Sequence, residues 1–400
     1  MTSNWTNSTL GELSIGGRGY YGIGASAVPY STELYTYLRI TDINDDGTLN
    51  MSDLKSVSDE KATDYLLKPN DIVFARTGAS TGRNYFYDGT DGEFVFAGFL
   101  IKFSLDPEKV NPRYIKYYCL SKEYRDWIAA FNTGSTRGNI NAQTLASMPI
   151  SLPDKTIQDR VVKVLDALEE KRKSNTKIND NLQQQAELLY HERFETADRG
   201  NLPVGWRIVR LGDVATISKR SFNPAKKPEM LLEHYSIPAF DEAHFPAFEL
   251  STAIKSNKFI VDDTCFMISK LNPTTKRVWK PYCLTENAVC STEFIVYKAK
   301  SQEITDFLYS VIDSSSFSDF MCSHVTGSTG SRQRTTPSDT LAFELFLPTV
   351  EEIAGYQGIV TPMFEQIKYN AIENDKLKRL RDSLLPKLMS GEIDVSAIQL

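Results

Sequence analysis

The chain has 400 residues, of which 41% are hydrophobic and 24% are charged, a balance typical of a soluble globular protein with more than one core. Its net charge of −6 argues against a basic nucleic-acid-binding arm, so any affinity for DNA must come from local clusters of Lys and Arg or from a partner. No apolar run approaches the roughly 20 residues that span a bilayer, no secretory signal is visible, and five scattered cysteines argue against a disulfide framework or a zinc site. We therefore expect a cytoplasmic protein that makes no contact with a membrane and binds no metal.

The first 150 residues predict a mixed α/β domain. Their apolar and aromatic runs are rich in residues that favour strands, and the runs are broken by Gly, Asp and Asn. A helical segment follows at 112–131, with Pro112 near its start, where a helix tolerates the missing N–H. The predicted strands lie within residues 35–43, 71–76, 84–87 and 94–103.

A glycine-rich motif in this half is similar to a nucleotide site. Residues 17–22 (GRGYYG) spell the G-x-G-x-x-G pattern of dinucleotide-binding proteins. That site needs a helix directly after the glycines, and the following segment GIGASAVPY does not favour a helix. A glycine-rich loop is therefore expected.

An acidic motif is similar to a calcium-binding loop. It consists of Asp42, Asn44, Asp46, Gly47 and Asp53. Such a loop stands between two helices and prefers a bidentate Glu at its end. Here the preceding segment favours a strand, and the second half of the chain has no counterpart. An acidic turn is the favoured interpretation, and a calcium-dependent binding module is the alternative.

The second half of the chain repeats the first. Trp5-x4-Leu-Gly-Glu-Leu returns 201 residues later as Trp206-x4-Leu-Gly-Asp-Val, and TGST at 133–136 returns 193 residues later at 326–329. These offsets far exceed the roughly 20–50 residues of a solenoid repeat. A whole domain with its connecting element has therefore been copied once, and two similar units can offer two similar sites to a partner.

The order of predicted elements recurs in the second copy, with strands within 263–269 and 291–298 and a helix over 303–321. Each copy is followed by a segment, 153–200 or 349–400, whose apolar residues fall on steps of three and four, the spacing of one helix face. Helices of about 30–38 residues would span roughly 45–57 Å at about 1.5 Å per residue.

Asparagines interrupt the apolar seams of both predicted helices at the same register. A seam asparagine lowers stability but fixes register and partner choice. We therefore predict an intramolecular antiparallel coiled coil, with two unrelated surface helices as the less favoured alternative. The predicted seam and subunit-docking residues are Leu165, Leu168, Asn175, Asn179, Leu182, Leu189, Ile367, Asn370, Asn374, Leu377 and Leu384.

The sequence contains no recognisable catalytic motif. There is no Walker lysine, no G-x-S-x-G and no H-E-x-x-H, and the four histidines have neither metal-ligand spacing nor a nucleophile motif beside them. We expect a protein that is not an enzyme and that binds no cofactor itself.

Four polar loops in two matched pairs form the candidate binding site. They occupy residues 75–83 and 133–143 in the first copy and 269–280 and 326–336 in the second. Hydroxyls, amides and guanidinium groups on glycine-rich loops suit contacts with phosphates and with base edges in the major groove. Any single loop could be a solvated turn, but the matched pairs favour DNA binding. The candidate DNA-binding residues are Arg76, Thr77, Ser80, Arg83, Ser135, Arg137, Lys270, Lys276, Arg277, Arg332 and Arg334.

Three segments are similar to those of a known family, the specificity subunits of Type I restriction–modification systems. LPVGWRIVRLGDV at 202–214 is similar to the usual opening of a target-recognition domain, and NDIVFARTGASTGR at 70–83 to the family's glycine-rich segment. LRDSLLPKLMSGEIDV at 380–395 resembles the family's carboxy-terminal helix end. The first copy lacks the Leu-Pro lead-in, and the second has SKLNPTTKR where the first has ARTGASTGR.

The resemblance implies an α+β protein with two tandem target-recognition domains, over 1–152 and 201–348, each reading half of a split sequence in double-stranded DNA. It implies two spacer helices, over 153–200 and 349–400, that hold the domains apart and carry two modification (methyltransferase) subunits, which restriction subunits then join. S-adenosylmethionine, ATP and Mg²⁺ would belong to those partners. The alternative is a two-domain protein-interaction scaffold without DNA specificity.

Overall fold

The computed structural model describes residues 5–51, 53–131, 139–326 and 333–395. The chain forms two compact units: unit 1 comprises Met1–Glu170 and Lys378–Leu400, and unit 2 comprises Lys171–Leu377. Each unit contains one domain together with a stretch of both long helices. No helix within the described ranges is long and apolar enough to cross a lipid bilayer.

Unit 1 contains two four-stranded sheets and short helices that lead into a long one. Its elements are β1 (Thr6–Thr9), β2 (Tyr20–Tyr21), β3 (Ala27–Pro29), β4 (Tyr35–Leu38), β5 (Lys55–Val57), β6 (Asp71–Ala75), β7 (Asn84–Tyr87), β8 (Phe94–Phe96), β9 (Leu100–Ser104), β10 (Pro149–Leu152), α1 (Pro112–Tyr118), α2 (Lys122–Phe131), α3 (Ala142–Ala146) and the start of α4 (Lys155–Tyr190). The sheets have strand orders β2-β9-β6-β7 and β3-β5-β4-β8, and β1 pairs with β10.

Strand β6 lies at the centre of this unit. All five of its residues, DIVFA, are buried, because alternate side chains pack into two hydrophobic cores, Ile72 and Phe74 into one and Val73 and Ala75 into the other. Its one charged residue, Asp71, accepts a hydrogen bond from Ser104 Oγ at 2.5 Å and pairs with Lys102 at 3.1 Å. The buried carboxylate is therefore compensated, as a charge out of water must be.

Unit 2 repeats this plan with additional short strands. Its elements are α5 (Leu211–Val214), α6 (Ile237–Ala243), α7 (Thr305–Asp313), α8 (Ser315–Ser323), α9 (Pro337–Thr340), part of α10 (Val350–Met389), β11 (Arg207–Arg210), β12 (Ala215–Ser218), β13 (Ser221–Phe222), β14 (Leu231–Tyr235), β15 (Ala247–Leu250), β16 (Lys258–Ile260), β17 (Cys265–Ser269), β18 (Val278–Trp279), β19 (Ala288–Ser291), β20 (Phe294–Ala299), β21 (Val325–Thr326), β22 (Arg334–Thr335) and β23 (Glu344–Leu347). The larger sheets have orders β12-β20-β17-β18 and β13-β16-β19-β14-β15.

The repeat in the sequence is a repeat in the structure. Strand β6 lies between β9 and β7, and β17 lies between β20 and β18 in the same way. The registers agree, because Phe74 pairs with Ile101 and Ile268 pairs with Ile295, at an offset of 194 residues. The predicted α+β class with two related domains is confirmed.

Both predicted domain helices are split at the same place. The prediction of one helix over 112–131 was wrong, since α1 and α2 take its place, and α7 and α8 likewise replace the helix predicted over 303–321. Ser121 Oγ accepts from the N–H of Tyr124, and Ser314 Oγ from the N–H of Phe317, each at 3.2 Å. A serine that satisfies a first-turn N–H begins a new helix.

The seam asparagines of unit 2 pair crosswise between α4 and α10. Asn175 Nδ2 donates to Asn374 Oδ1 at 3.0 Å, and Asn370 Nδ2 donates to Asn179 Oδ1 at 2.8 Å. The lower residue number of one helix meets the higher number of the other, so the two helices run antiparallel. Because 175 and 370, and 179 and 374, are counterparts in the repeat, the second pair is the repeat image of the first.

The same two helices also pair antiparallel within unit 1. Arg381 on α10 forms an ion pair with Glu169 on α4 at 2.7 Å, and the guanidinium of Arg160 donates to the carbonyl of Val395, just beyond the end of α10, at 3.0 Å. Leu165 is fully buried beside the hydrophobic core of this unit. Each of the predicted seam residues is buried or partly buried, and Leu168, Leu182, Leu189, Ile367, Leu377 and Leu384 belong to the partly buried group.

We predict that Asn179→Ala destabilises the protein by about 1–3 kcal/mol, because it leaves the amide of buried Asn370 without its acceptor. Asn181→Ala is the matched control, since Asn181 is exposed on the same helix and its loss should change stability by no more than about 0.5 kcal/mol. Urea denaturation followed by circular dichroism measures both. Equal effects of the two substitutions would contradict the crosswise pairing.

Candidate functional site

Two hairpin loops occupy equivalent places in the two units. The first hairpin loop, residues 76–83, joins β6 to β7, and the second hairpin loop, residues 270–277, joins β17 to β18. Their sequences, RTGASTGR and KLNPTTKR, share only Thr at the sixth position and Arg at the eighth. Both contain candidate DNA-binding residues, so their geometry tests whether the two sites are related.

Both hairpin loops are closed by the same backbone hydrogen bond. The N–H of Ala75 donates to the carbonyl of Arg83 at 2.8 Å, and the N–H of Ser269 donates to the carbonyl of Arg277 at 2.9 Å. Backbone groups are obligatory hydrogen-bonding partners whatever side chain they carry. The loops therefore have the same closure although their side chains differ.

The tight turn inside each loop is also the same. Gly78 has φ 73° and Asn272 has φ 49°, and their carbonyls accept from the N–H groups of Thr81 and Thr275 at 3.1 and 2.9 Å. Positive φ is tolerated by Gly and, among other residues, best by Asn and Asp. Asn272 therefore adopts the backbone conformation that Gly78 adopts in the first hairpin loop.

This equivalence predicts the tolerance of position 78. Gly78→Ala should cost about 1 kcal/mol because of its positive φ, and Gly78→Asn clearly less. Neither adds a clash, since nothing lies within 4 Å of a Cβ built there. Gly24→Ala is the control, because Gly24 is equally open and has no positive φ. Thermal melting of the three variants measures the order, and an equal loss for Ala and Asn would contradict it.

Each hairpin loop is attached to the C-terminal part of the second polar loop of its unit. The N–H of Ile140 donates to the carbonyl of Arg76 at 2.9 Å, and the N–H of Thr335 donates to the carbonyl of Lys270 at 3.1 Å. One residue further, Thr77 forms a β-bridge with Asn139. In unit 2 the corresponding bridge joins Leu271 and Arg334.

The hairpin loops are also fixed from the other side. The N–H of Arg76 donates to the carbonyl of Phe99 at 3.0 Å, and the N–H of Lys270 donates to the carbonyl of Glu293 at 2.9 Å. We refer to these matched backbone hydrogen bonds as the loop frame. The frame makes Arg76 the counterpart of Lys270, and Phe99 the counterpart of Glu293.

Two of the predicted DNA-binding arginines are paired with carboxylates of the same unit. Arg83 forms a bidentate pair with Asp45, at 2.7 and 3.2 Å, and also donates to the carbonyl of Ile43. Its counterpart Arg277 forms a bidentate pair with Asp241, at 2.6 and 2.9 Å. A bidentate pair fixes the orientation of the guanidinium group, so these arginines hold the ends of the hairpin loops.

Two further candidates in unit 2 are also paired. Arg334 forms a bidentate pair with Glu293 at 3.0 and 3.3 Å. Lys276 lies 3.2 Å from the carboxylate of Asp313 and 3.1 Å from that of Glu187 on α4. DNA contact by these residues stays a prediction, because it would require them to share or leave these partners.

The remaining candidates lie at the frame itself. The guanidinium of Arg76 lies over the ring of Tyr21, 5.1 Å from its centroid, and Thr77 and Ser80 are partly buried in the same loop. Lys270 is partly buried at the equivalent place in unit 2. Ser135, Arg137 and Arg332 lie outside the described residues, so their predicted role stays a prediction.

Exposed aromatic side chains beside the first hairpin loop were missed by sequence reasoning. Tyr20, Tyr21 and Phe99 are 40%, 43% and 59% exposed. Arg18 lies over the ring of Tyr20 at 5.0 Å, and the hydroxyl of Tyr21 accepts from the N–H of Ala142 at 3.1 Å. The available signal was the aromatic pair inside the glycine-rich segment GRGYYG. The segment expected to be a loop contains the short strand β2, and the next element is strand β3 and not a helix, as predicted.

The side chains of the acidic motif form ion pairs and hydrogen bonds with neighbouring protein groups, including one with the first hairpin loop. Asp42 is buried and pairs with Arg39 at 2.6 Å, Asp53 pairs with Lys55 at 2.6 Å, and Asp46 accepts from Thr48. Asp45, inside the same motif, holds Arg83, as described above. Across the described ranges, no group of three or more His, Cys, Asp or Glu side chains could hold a metal ion.

Lys276, Asp313, Glu187 and Gln183 lie together, and we refer to them as the Lys276 cluster. Burial raises the pKa of Asp313 from its ordinary 3.8 to about 6, although the positive charge of Lys276 lowers it. Glu187 raises it further, and Gln183 donates a hydrogen bond to the carboxylate. The cluster connects the second hairpin loop to α4, and Lys276 is the residue that makes the connection. In unit 1 the position of Lys276 is occupied by Gly82, because the same closing hydrogen bond relates the two hairpin loops residue by residue.

We predict that the stability of the wild-type protein falls relative to Asp313→Asn as the pH rises from about 4 to about 7. Because the pKa of Asp313 is raised in the folded state, folding favours the protonated carboxyl. The stability that Asp313 contributes is therefore present below about pH 4 and is lost as the pH rises past about 6, a change in the free energy of unfolding of about 3 kcal/mol at most. Urea denaturation across this pH range measures it. The control is Asp319→Asn, on the exposed face of α8; a parallel profile for both variants would contradict the prediction.

Comparison with known proteins gives a consistent result. Residues 2–184 match the family model described as Type I restriction modification DNA specificity domain. The chain is 21% identical, over 98% of its length and 100% of the relative, to the Type I restriction enzyme HindI specificity subunit of Haemophilus influenzae. It is 24% identical to the MjaIX specificity subunit of Methanocaldococcus jannaschii, over 72% of this chain and 71% of that one.

A solved structure shares the fold. The crystal structure of a Type-I restriction-modification system S subunit from M. genitalium matches with a TM-score of 0.57 and 16% sequence identity, covering 97% of this chain and 96% of that chain. At this level of identity the likeness concerns the fold.

Proposed function

We propose that this chain is the subunit that reads the DNA sequence for a Type I restriction–modification complex. Its residues 2–184 match the family model of the Type I restriction modification DNA specificity domain. Each unit would read one half of a bipartite target in double-stranded DNA. The chain itself would be non-catalytic and cytoplasmic.

A duplicated loop frame with unlike side chains supports this proposal best. The first and second hairpin loops share their closure, their turn and their attachment, while six of their eight residues differ. Direct readout depends on side chains that reach base edges, and phosphate contacts set their position. Loops with the same backbone and different side chains are therefore suited to reading two different sequences, because each loop is held in the same orientation on its own unit.

The charge of the chain supports binding in a complex. Its net charge is −6, and Arg83, Arg277 and Arg334 are each paired with a carboxylate inside the protein. Each phosphate neutralised by a free cation contributes to non-specific affinity, and among the described residues of the polar loops these three cations already have a carboxylate partner. The proposal therefore assigns much of the phosphate affinity to partner subunits.

These partners would be two modification subunits and the restriction subunits that join them. The long helices α4 and α10 and their neighbouring surfaces would dock the modification subunits. S-adenosylmethionine, ATP and Mg²⁺ would be held by the partner subunits.

The decisive experiment is selection of a bound sequence from a random DNA pool, with modification subunits present, followed by footprinting. The proposal expects one bipartite sequence, protected in two separate blocks. Retention of the modification subunits with no selected sequence would overturn it and would favour the alternative, a protein-interaction scaffold.

The matched frame residues predict a division between the half-sites. Arg76→Ala should weaken binding about 5- to 100-fold and relax the sequence only in one half-site, and Lys270→Ala should do the same only in the other. Lys61→Ala and Lys255→Ala are controls, because these exposed lysines lie outside the hairpin loops. Repeating the selection with each variant measures the effect. Loss of sequence preference in both half-sites from one substitution would contradict the proposal.

A further inference from the structure

The loop frame allows the reading surfaces of the two units to be compared position by position. Tyr20 pairs with Lys102 across the sheet of unit 1, and Ser218 pairs with Val296 in unit 2. Lys102 and Val296 are counterparts at the offset of 194 residues that relates β9 to β20. Ser218 therefore stands where Tyr20 stands in unit 1.

The next positions differ in the same sense. Lys219 follows Ser218 as Tyr21 follows Tyr20, and the frame places Glu293 where unit 1 has Phe99. Successive side chains of a strand point to opposite faces of the sheet. Tyr21 pairs with Ile101 and so shares a face with Phe99, two residues before Ile101, whereas Tyr20 lies on the other face. We refer to Tyr21 and Phe99 as the aromatic face. Its counterparts Lys219 and Glu293 form the charged face. One backbone thus presents rings in unit 1 and charged groups in unit 2.

The chemistry around each face strengthens the contrast. The guanidinium group of Arg76 lies over the ring of Tyr21, which leaves a cation at the border of the aromatic face. In unit 2 the Glu293 carboxylate is occupied by Arg334, at 3.0 Å. An apolar surface with a cation at its border fits the major groove of DNA, where thymine methyl groups are exposed between the two phosphate backbones.

We propose that the two units read their half-sites by different chemistry. Unit 1 reads thymine methyl groups by apolar contact with the aromatic face, and unit 2 reads its half-site through hydrogen bonds and charge. This inference rests on the proposed function, because it requires each unit to read one half-site.

The test uses the full chain assembled with its modification subunits and the selected duplex, with deoxyuridine in place of thymidine in one half-site at a time. In the half-site assigned to unit 1 by Arg76→Ala, each critical methyl group removed should weaken binding about fourfold, the value for one buried carbon. In the half-site of unit 2 the change should stay within about twofold. Phe99→Ala should remove the sensitivity to deoxyuridine.

A second readout separates apolar contact from charge. Phe99→Ala should lower affinity without changing the slope of log K against log salt, whereas Lys219→Ala should reduce that slope by about 1. Phe99→Leu retains apolar bulk and should behave as an intermediate, and the deoxyuridine duplexes need no variant at all.

Distinct results would overturn the inference and the proposed function. Equal sensitivity to deoxyuridine in both half-sites, no sensitivity in either, or a unit 1 half-site without an A·T pair would overturn the inference and leave the proposed function standing. Failure to select any bipartite sequence would overturn both. A protein partner that binds the aromatic face and loses affinity on Phe99→Ala, while DNA binding is unchanged, would assign the face to protein docking instead.

Discussion

The requirement that buried backbone groups be hydrogen-bonded is the constraint on which the two candidate sites depend. The hairpin loops are closed, turned and attached by backbone N–H and C=O groups, none of which depends on the identity of a side chain. Gly78 and Asn272 supply the positive φ of the shared turn, and Gly82 is restricted as well, because its φ is 89° and a Cβ there would lie 2.5 Å from Ile128. The backbone hydrogen bonds of the frame place no demand on the other side chains, so a change of reading specificity need not change the fold.

Arginine–carboxylate pairs add a second layer of order to these loops. The Arg83–Asp45 and Arg277–Asp241 pairs occur at equivalent ends of the two hairpin loops. Both are bidentate, and both use an acidic residue from the region of the other main sheet of their own unit, Asp45 between β4 and β5 and Asp241 between β14 and β15. Partly exposed pairs contribute modest stability, but a fork of two hydrogen bonds fixes direction. These cations are therefore used to orient the loops, which agrees with a protein whose overall charge is negative.

The sequence predicted what local patterns encode, and it missed what long-range pairing decides. The repeat, the two long helices and their asparagine register all follow from periodic spacing, and the structure has them. The internal roles of Arg83 and Arg277 could not be predicted, because their carboxylates lie 38 and 36 residues away in the chain. The sequences SKLNPTTKR and ARTGASTGR did not reveal their shared turn. Asn272 and Gly78 are equivalent only in backbone conformation, which two different residue types can adopt. Phe99 falls within the strand predicted in residues 94–103, whereas it is an exposed residue between β8 and β9.

The crosswise asparagine pairs show how a duplicated sequence can specify one register. Pairing 175 with 374 and 179 with 370 means that the repeat maps one pair onto the other. A slip of either helix by one turn separates both pairs at once and leaves buried amides without partners, a cost of about 1–3 kcal/mol for each. Leucines at these positions would pack well but would tolerate several registers. The asparagines therefore exchange stability for a single alignment of α4 with α10, and the repeat ensures that both pairs enforce the same one.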